Sequence, residues 1–115
     1  MTLQDLYRSR LANADDALSF VRSDMNIAMG MAVAEPPALL SALARKVENA
    51  SIETLRLWYF HSLDAAANSV LRPDMLDRVR PHCMFLSHVE RTLRVGFETH
   101  ADRANRRNMS MAAAA

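Results

Sequence analysis

The 115-residue chain has a single cysteine, Cys83, and two glycines, Gly30 and Gly96. One cysteine excludes a disulfide framework within the chain and argues against a cysteine-based zinc site, and it fits a reducing cytoplasm. Two glycines are too few for a glycine-rich phosphate loop or a dinucleotide fingerprint. No apolar run approaches the ~18 residues of a membrane span. No basic-then-apolar leader opens the sequence, so a signal peptide is not expected. An excess of one charge is also missing. The net charge is +1, so nucleic-acid binding would need a local basic patch. The thirteen arginines against one lysine read as coding bias.

Half of the residues are apolar and 23% are charged, which is enough for one domain with a core of its own. The pattern along the chain alternates. Residues 1–24 read as helix in two pieces. Leu3, Leu6 and Tyr7 share a face of the first piece; Asn13 caps the second, which buries Ala14, Leu18 and Val21. "MNIAMG" (25–30) reads as a buried strand. "EPPALLSALARKV" (35–47) reads as a helix with proline in its first turn and Leu39, Leu40, Leu43 and Val47 as its buried stripe. "TLRLWYFHS" (54–62) is a strand, "LDAAANSVLR" a helix stopped by Pro73, "PDMLDRVR" a short helix stopped by Pro81, "HCMFLS" (82–87) a strand, and "HVERTLRV" a helix. Helices alternating with strands predict an α/β fold, a partial three-layer αβα domain with a small, mostly parallel sheet.

In an open α/β sheet, ligands sit beyond the carboxyl ends of the strands. That places the loop Gly30, Met31, Ala32, Val33, Ala34 and Glu35 at a candidate site, although Pro36 and Pro37 make it a poor phosphate cradle. The alternative is a plain strand-to-helix connection. Glu35, just before a helix, reads as a capping carboxylate rather than a nucleophile. His61, Ser62 and Asp64 are the residue types of a hydrolase triad, but adjacent strand residues point to opposite faces. Polar residues at a strand end are the simpler reading, and His61 remains a candidate for lining the site. Ser87 ends the third strand and is a further lining candidate. His82, Cys83 and His88 lack an acidic partner at motif spacing, so no metal site is expected. Cys83 and the methionines Met25, Met29, Met31 and Met84 read as core filler. Trp58, Tyr59 and Phe60 read as core, since a base-stacking platform needs basic residues around it and only Arg56 is near in sequence.

The segments "MGMAVAEPPALLSALA", "LRLWYFHS", "LRPDMLDRVRPHCMFLS" and "ERTL" resemble the amino-terminal part of the acetyl-CoA hydrolase/CoA-transferase family. Within that family the chain is similar to the 4-hydroxybutyrate and itaconate CoA-transferases. The resemblance reaches about Leu93. It implies two related α/β halves with the active site between them. A glutamate of the second half attacks the acyl-CoA thioester, forming an acyl-glutamyl anhydride. CoA returns to give a glutamyl-CoA thioester, which passes CoA to a second carboxylic acid.

The expected substrates are therefore a coenzyme A thioester and a small carboxylic acid, with no bound cofactor, no nucleic acid, no membrane and a cytoplasmic setting. By resemblance Gly30–Glu35 borders the acyl side of the cleft, while no residue of this chain corresponds to the catalytic glutamate. Residues 1–93 would be a truncated CoA-transferase domain. Residues 94–115, with Arg103, Arg106 and Arg107, depart from the family and would form a frayed tail. Asp24 stands where a glycine is expected and suits a left-handed turn. A chain of this kind would be inactive alone. Two other readings are a small module that self-associates through exposed sheet edges and a gene remnant without function.

Overall fold

β2 (Leu55–Tyr59) sets the architecture. Its side chains alternate: Leu55, Leu57 and Tyr59 are buried, while Arg56 and Trp58 point the other way. In the computed structural model, which describes residues 1–98, β1 (Met25–Ala28) and β3 (Val79–Cys83) flank it in the order β1-β2-β3. Both pairings are parallel. The register aligns Ile27, Leu57 and Pro81 on one face, and Asn26, Arg56 and Arg80 on the other. Ala28, Trp58 and His82 form the next row of that second face.

The crossovers supply the covering layer. α3 (Pro37–Glu48) starts with proline in its first turn, where a missing N–H breaks no helical bond. It buries Leu40, Leu43, Ala44 and Val47 in one cluster with Leu55, Leu57, Val79 and Cys83. α4 (Asp64–Ala67) adds Ala66, and α5 (His88–Glu98) adds Leu93. Each fully buried leucine contributes about 1.5–3 kcal/mol by leaving water. The described residues thus form the sheet and one helical layer of the expected αβα arrangement.

Two short helices precede the sheet. α1 (Leu3–Arg10) is closed by a capping box in which Thr2 Oγ1 accepts the Asp5 N–H at 3.1 Å and Asp5 accepts the Thr2 N–H at 3.0 Å. It buries no residue, so the shared face of Leu3, Leu6 and Tyr7 is exposed. α2 (Ala14–Ala17) is capped by Asn13, whose side chain accepts the Asp16 N–H at 2.8 Å. Val21 is buried, and Leu18 packs partly buried against the core. An apolar groove of about 760 Å³ follows the outer edge of β1, lined among others by Leu18, Phe20, Ile27, Met29 and Leu40.

The third strand lies earlier than its apolar run suggests. Val79, Pro81 and Cys83 supply the buried period-two face, whereas "MFLS" has already left the sheet. Pro81 is therefore inside a strand and not a helix stop. Backbone bonds tie Arg78 and Met84 to β2, so by alternation the nitrogen of Pro81 faces away from it, where no N–H is needed. The helix expected over 63–72 closes after one turn, through a Leu71 N–H to Ala66 carbonyl bond of 2.9 Å. The next segment keeps only a 3₁₀ turn, Pro73–Met75. Unwinding there lets Val70, Leu71, Met75 and Leu76 all reach the core, which a continuous helix would not. Trp58 and Phe60 are 38% and 52% exposed, so of the aromatic trio only Tyr59 is core. Cys83 is buried as expected. The expected tail begins within α5, which continues to Glu98; Arg103, Arg106 and Arg107 lie outside the described residues. No helix among the described residues is long and apolar enough to cross a membrane.

Candidate functional site

Parallel strands deliver all three strand-to-helix loops to one end of the sheet. Residues 29–36, 60–63 and 84–87 meet there. Backbone bonds link them: Ala32 N–H to His61 carbonyl at 3.4 Å, Met84 N–H to Tyr59 carbonyl at 3.0 Å, and Phe85 N–H to Phe60 carbonyl at 2.7 Å. The structure thus brings the loop Gly30–Glu35, His61 and Ser87 together, as the sequence reading placed them.

The first loop is shaped by two small residues. A Cβ on Gly30 would lie 2.5 Å from the Ala34 carbonyl oxygen and 2.9 Å from the Ala34 Cβ. Gly30 is needed for this close approach and not for a left-handed turn. The left-handed residue is Ala32, at φ +50°, with Ala32–Ala34 forming a single 3₁₀ turn. A non-glycine residue there costs about 1–2 kcal/mol. Asp24 at the start of β1 is also left-handed, φ +66°, in agreement with the turn read from sequence.

Two buried carboxylates bind the loops together. Glu35 is 6% exposed, and its Oε1 accepts the Leu63 N–H at 2.7 Å while Oε2 accepts the Ala66 N–H at 3.2 Å. It is a capping group, but for α4, a helix from the next crossover, and not for the helix that follows it. Glu90 is fully buried. It accepts hydrogen bonds from the hydroxyls of Ser62 and Ser87, and from the Ser87 N–H at 2.9 Å. The Ser87 hydroxyl also lies 3.3 Å from the Ser62 carbonyl. Glu35 therefore ties the first loop to the second, and Glu90 ties the second to the third. Sequence reasoning missed Glu90. The signal was present in "SHVE" (87–90), a Ser-x-x-Glu capping pattern at the start of α5.

Burial, then the charge on Glu90, raises the pKa of the Tyr59 phenol well above its usual value, so it is a weaker acid than a free tyrosine. The same causes push the Cys83 thiol up to about 11. Cys83 is thus a protonated, unreactive core residue at neutral pH. Among the described residues no group of three His, Cys, Asp or Glu side chains is placed to hold a metal ion.

Around the tied loops stands an exposed apolar rim: Met31, Val33, Phe60, Leu63 and Phe85. The Phe60 and Phe85 rings stack at 5.9 Å. His61 and Ser87 lie half-buried on the same loops, the Ser87 hydroxyl and N–H being given to Glu90. Both buried carboxylates are already engaged by N–H or O–H donors. This end therefore offers an apolar surface, with neither Glu35 nor Glu90 as a free nucleophile.

No protein-family model and no curated protein matches the chain. Solved structures do. The chain is similar to RipA from Yersinia pestis, at 39% identity and a TM-score of 0.79, over 86% of this chain and 23% of that one. A glutamate-to-alanine variant of RipA gives 39% identity and a TM-score of 0.80, over 87% of this chain and 23% of that one. A methionine-to-glycine variant gives 37% identity and a TM-score of 0.76, over 86% and 23%. The chain thus spans about a quarter of the length of the RipA chains it matches.

Proposed function

We propose that this chain forms one wall of the cleft of a CoA-transferase. The reaction moves CoA between an acyl-CoA and a short-chain carboxylate of the acetate, 4-hydroxybutyrate or itaconate type. The observation that carries this reading is the coincidence of two likenesses over the same residues. The motifs that resemble the acetyl-CoA hydrolase/CoA-transferase family fall in "MGMAVAEPP", "LRLWYFHS" and "PHCMFLS". These are the strand ends and loops that build the tied end of the sheet. The likeness to RipA, at 39% identity, takes in 86% of the chain.

On this reading RipA is a full-length counterpart. The rim of Met31, Val33, Phe60 and Phe85 faces the acyl group, with His61 and Ser87 as polar lining. The nucleophilic carboxylate comes from polypeptide outside this stretch, because Glu35 and Glu90 are both engaged in holding loops. Alone, the chain does not turn over.

The test is CoA transfer from acetyl-CoA to a panel of short carboxylic acids. It is run with the purified chain alone, and with the chain assembled on RipA lacking the matching segment. Transfer only in the assembled sample is expected. Steady transfer by the chain alone would contradict the assignment of the nucleophile. Absence of transfer from a folded assembly, with every acid, would overturn the CoA-transferase reading.

A further inference from the structure

Parallel sheets are normally covered on both faces, yet among the described residues no helix covers the second face of this one. Its two described rows are Asn26, Arg56 and Arg80, and Ala28, Trp58 and His82. Trp58 and His82 stack at 4.2 Å with ring planes 12° apart. The indole N–H donates to Asn26 Oδ1 at 3.0 Å, so the tryptophan is held in place. Arg56 is also held: it reaches Asn26 Oδ1 at 2.8 Å, and the Asp24 carboxylate and carbonyl at 2.6 Å each. Arg80 is different. It is exposed, and its side chain makes no hydrogen bond or ion pair among the described residues. A pre-ordered tryptophan beside an uncompensated arginine is the composition of an interface core, where these two residue types are enriched.

We propose that this face is an interface for polypeptide of the kind that completes a RipA-length chain, presenting apolar side chains to Trp58 and a carboxylate to Arg80. Three observations select that occupant. The matching segment is 23% of RipA, so most of such a protein is available to cover the sheet. A second copy of this chain, face to face, would oppose Arg56 and Arg80 with the same arginines. Residues 99–115 carry Arg103, Arg106 and Arg107 against Asp102 and offer no net negative charge to Arg80.

The inference rests on the RipA likeness used above, but its test separates it from the enzymatic reading. The full chain is co-expressed with RipA lacking the matching segment, and the assembly is purified through a tag on the chain. Arginine modification by phenylglyoxal, read by peptide mass, reports on the face. A one-to-one complex is expected, with modification of Arg80 slowed relative to the free chain. Arg80→Glu should lower the yield of complex by about tenfold or more, since opposed like charges cost several kcal/mol. Arg45→Glu, on α3 and away from this face, should leave the yield unchanged. Failure to form a complex, Arg80 modified at its free rate in the complex, or assembly of Arg80→Glu like the parent would each overturn the proposal. Light scattering that shows Arg80 protected in a homodimer of the chain would also overturn it. A protected face without CoA transfer would leave the interface standing and sink the activity; transfer with an accessible Arg80 would do the reverse.

Discussion

On one face of the sheet Leu55, Leu57, Tyr59, Val79 and Cys83 are sealed against side chains of α3, α4 and α5. On the other, Arg56, Trp58, Arg80 and His82 stand with no helix of the described residues over them. The strands are the same, and only the side-chain parity differs. Stability comes from the odd-numbered residues, whose burial no substitution can reproduce with a smaller group. The even-numbered residues are ordered by local hydrogen bonds and a ring stack, which hold a surface without closing it.

Substitutions should separate the two faces by size of effect. Leu57→Ala on the sealed face should cost about 3–4 kcal/mol in urea unfolding, through lost transfer energy and a cavity. A cost under about 1 kcal/mol would mean that the face is not packed as described. Glu90→Ala comes next. It leaves two serine hydroxyls and the Ser87 N–H without their acceptor in a largely buried site, for a loss of roughly 2–3 kcal/mol. Glu90→Gln should recover part of this. Glu35→Ala removes the surrogate cap of α4 and should cost about 1–2 kcal/mol. Hydrogen exchange at the Leu63 and Ala66 amides should rise with it.

The open face should respond weakly to substitution but visibly to pH. Burial, then Arg56 and Arg80, lowers the pKa of His82 from 6.5. The unfolded chain therefore binds this proton first. Stability is full above about pH 6.5 and is lost as pH falls through the lower folded value. His82→Gln should flatten that part of the pH–stability curve; an unchanged curve would show that another group is responsible. Smallest of all, Arg80→Ser in the free chain should change stability by no more than about 0.5 kcal/mol. A larger loss would mean that Arg80 already has a structural partner.

Much of this was legible in the sequence. The α/β alternation, β1, β2, α3 and the Asn13 cap follow from period, proline and capping chemistry. The boundaries of β3 did not, because the apolar run "CMFLS" outweighed the alternation of Val79, Pro81 and Cys83, and proline in a strand is readable only once its edge position is known. The extent of the helices between β2 and β3 depends on wrapping Val70, Leu71, Met75 and Leu76 onto the core, a tertiary demand with no local signature. At the site, the gathering of Gly30–Glu35, His61 and Ser87 follows from parallel topology. The partners of Glu35 and Glu90 do not, since each reaches across 28 residues to another loop. The exposure of Trp58, expected in the core, escapes the sequence for a related reason. Arg80 and His82 join Arg56 and Trp58 only through strand register.

The most direct measurement is peptide mass mapping of the assembled complex after incubation with acetyl-CoA. A covalent CoA thioester is expected on a glutamate outside this chain, with Glu35 and Glu90 unmodified. A CoA adduct on either of those residues would contradict the assignment of this chain as the wall that shapes the cleft without carrying its nucleophile.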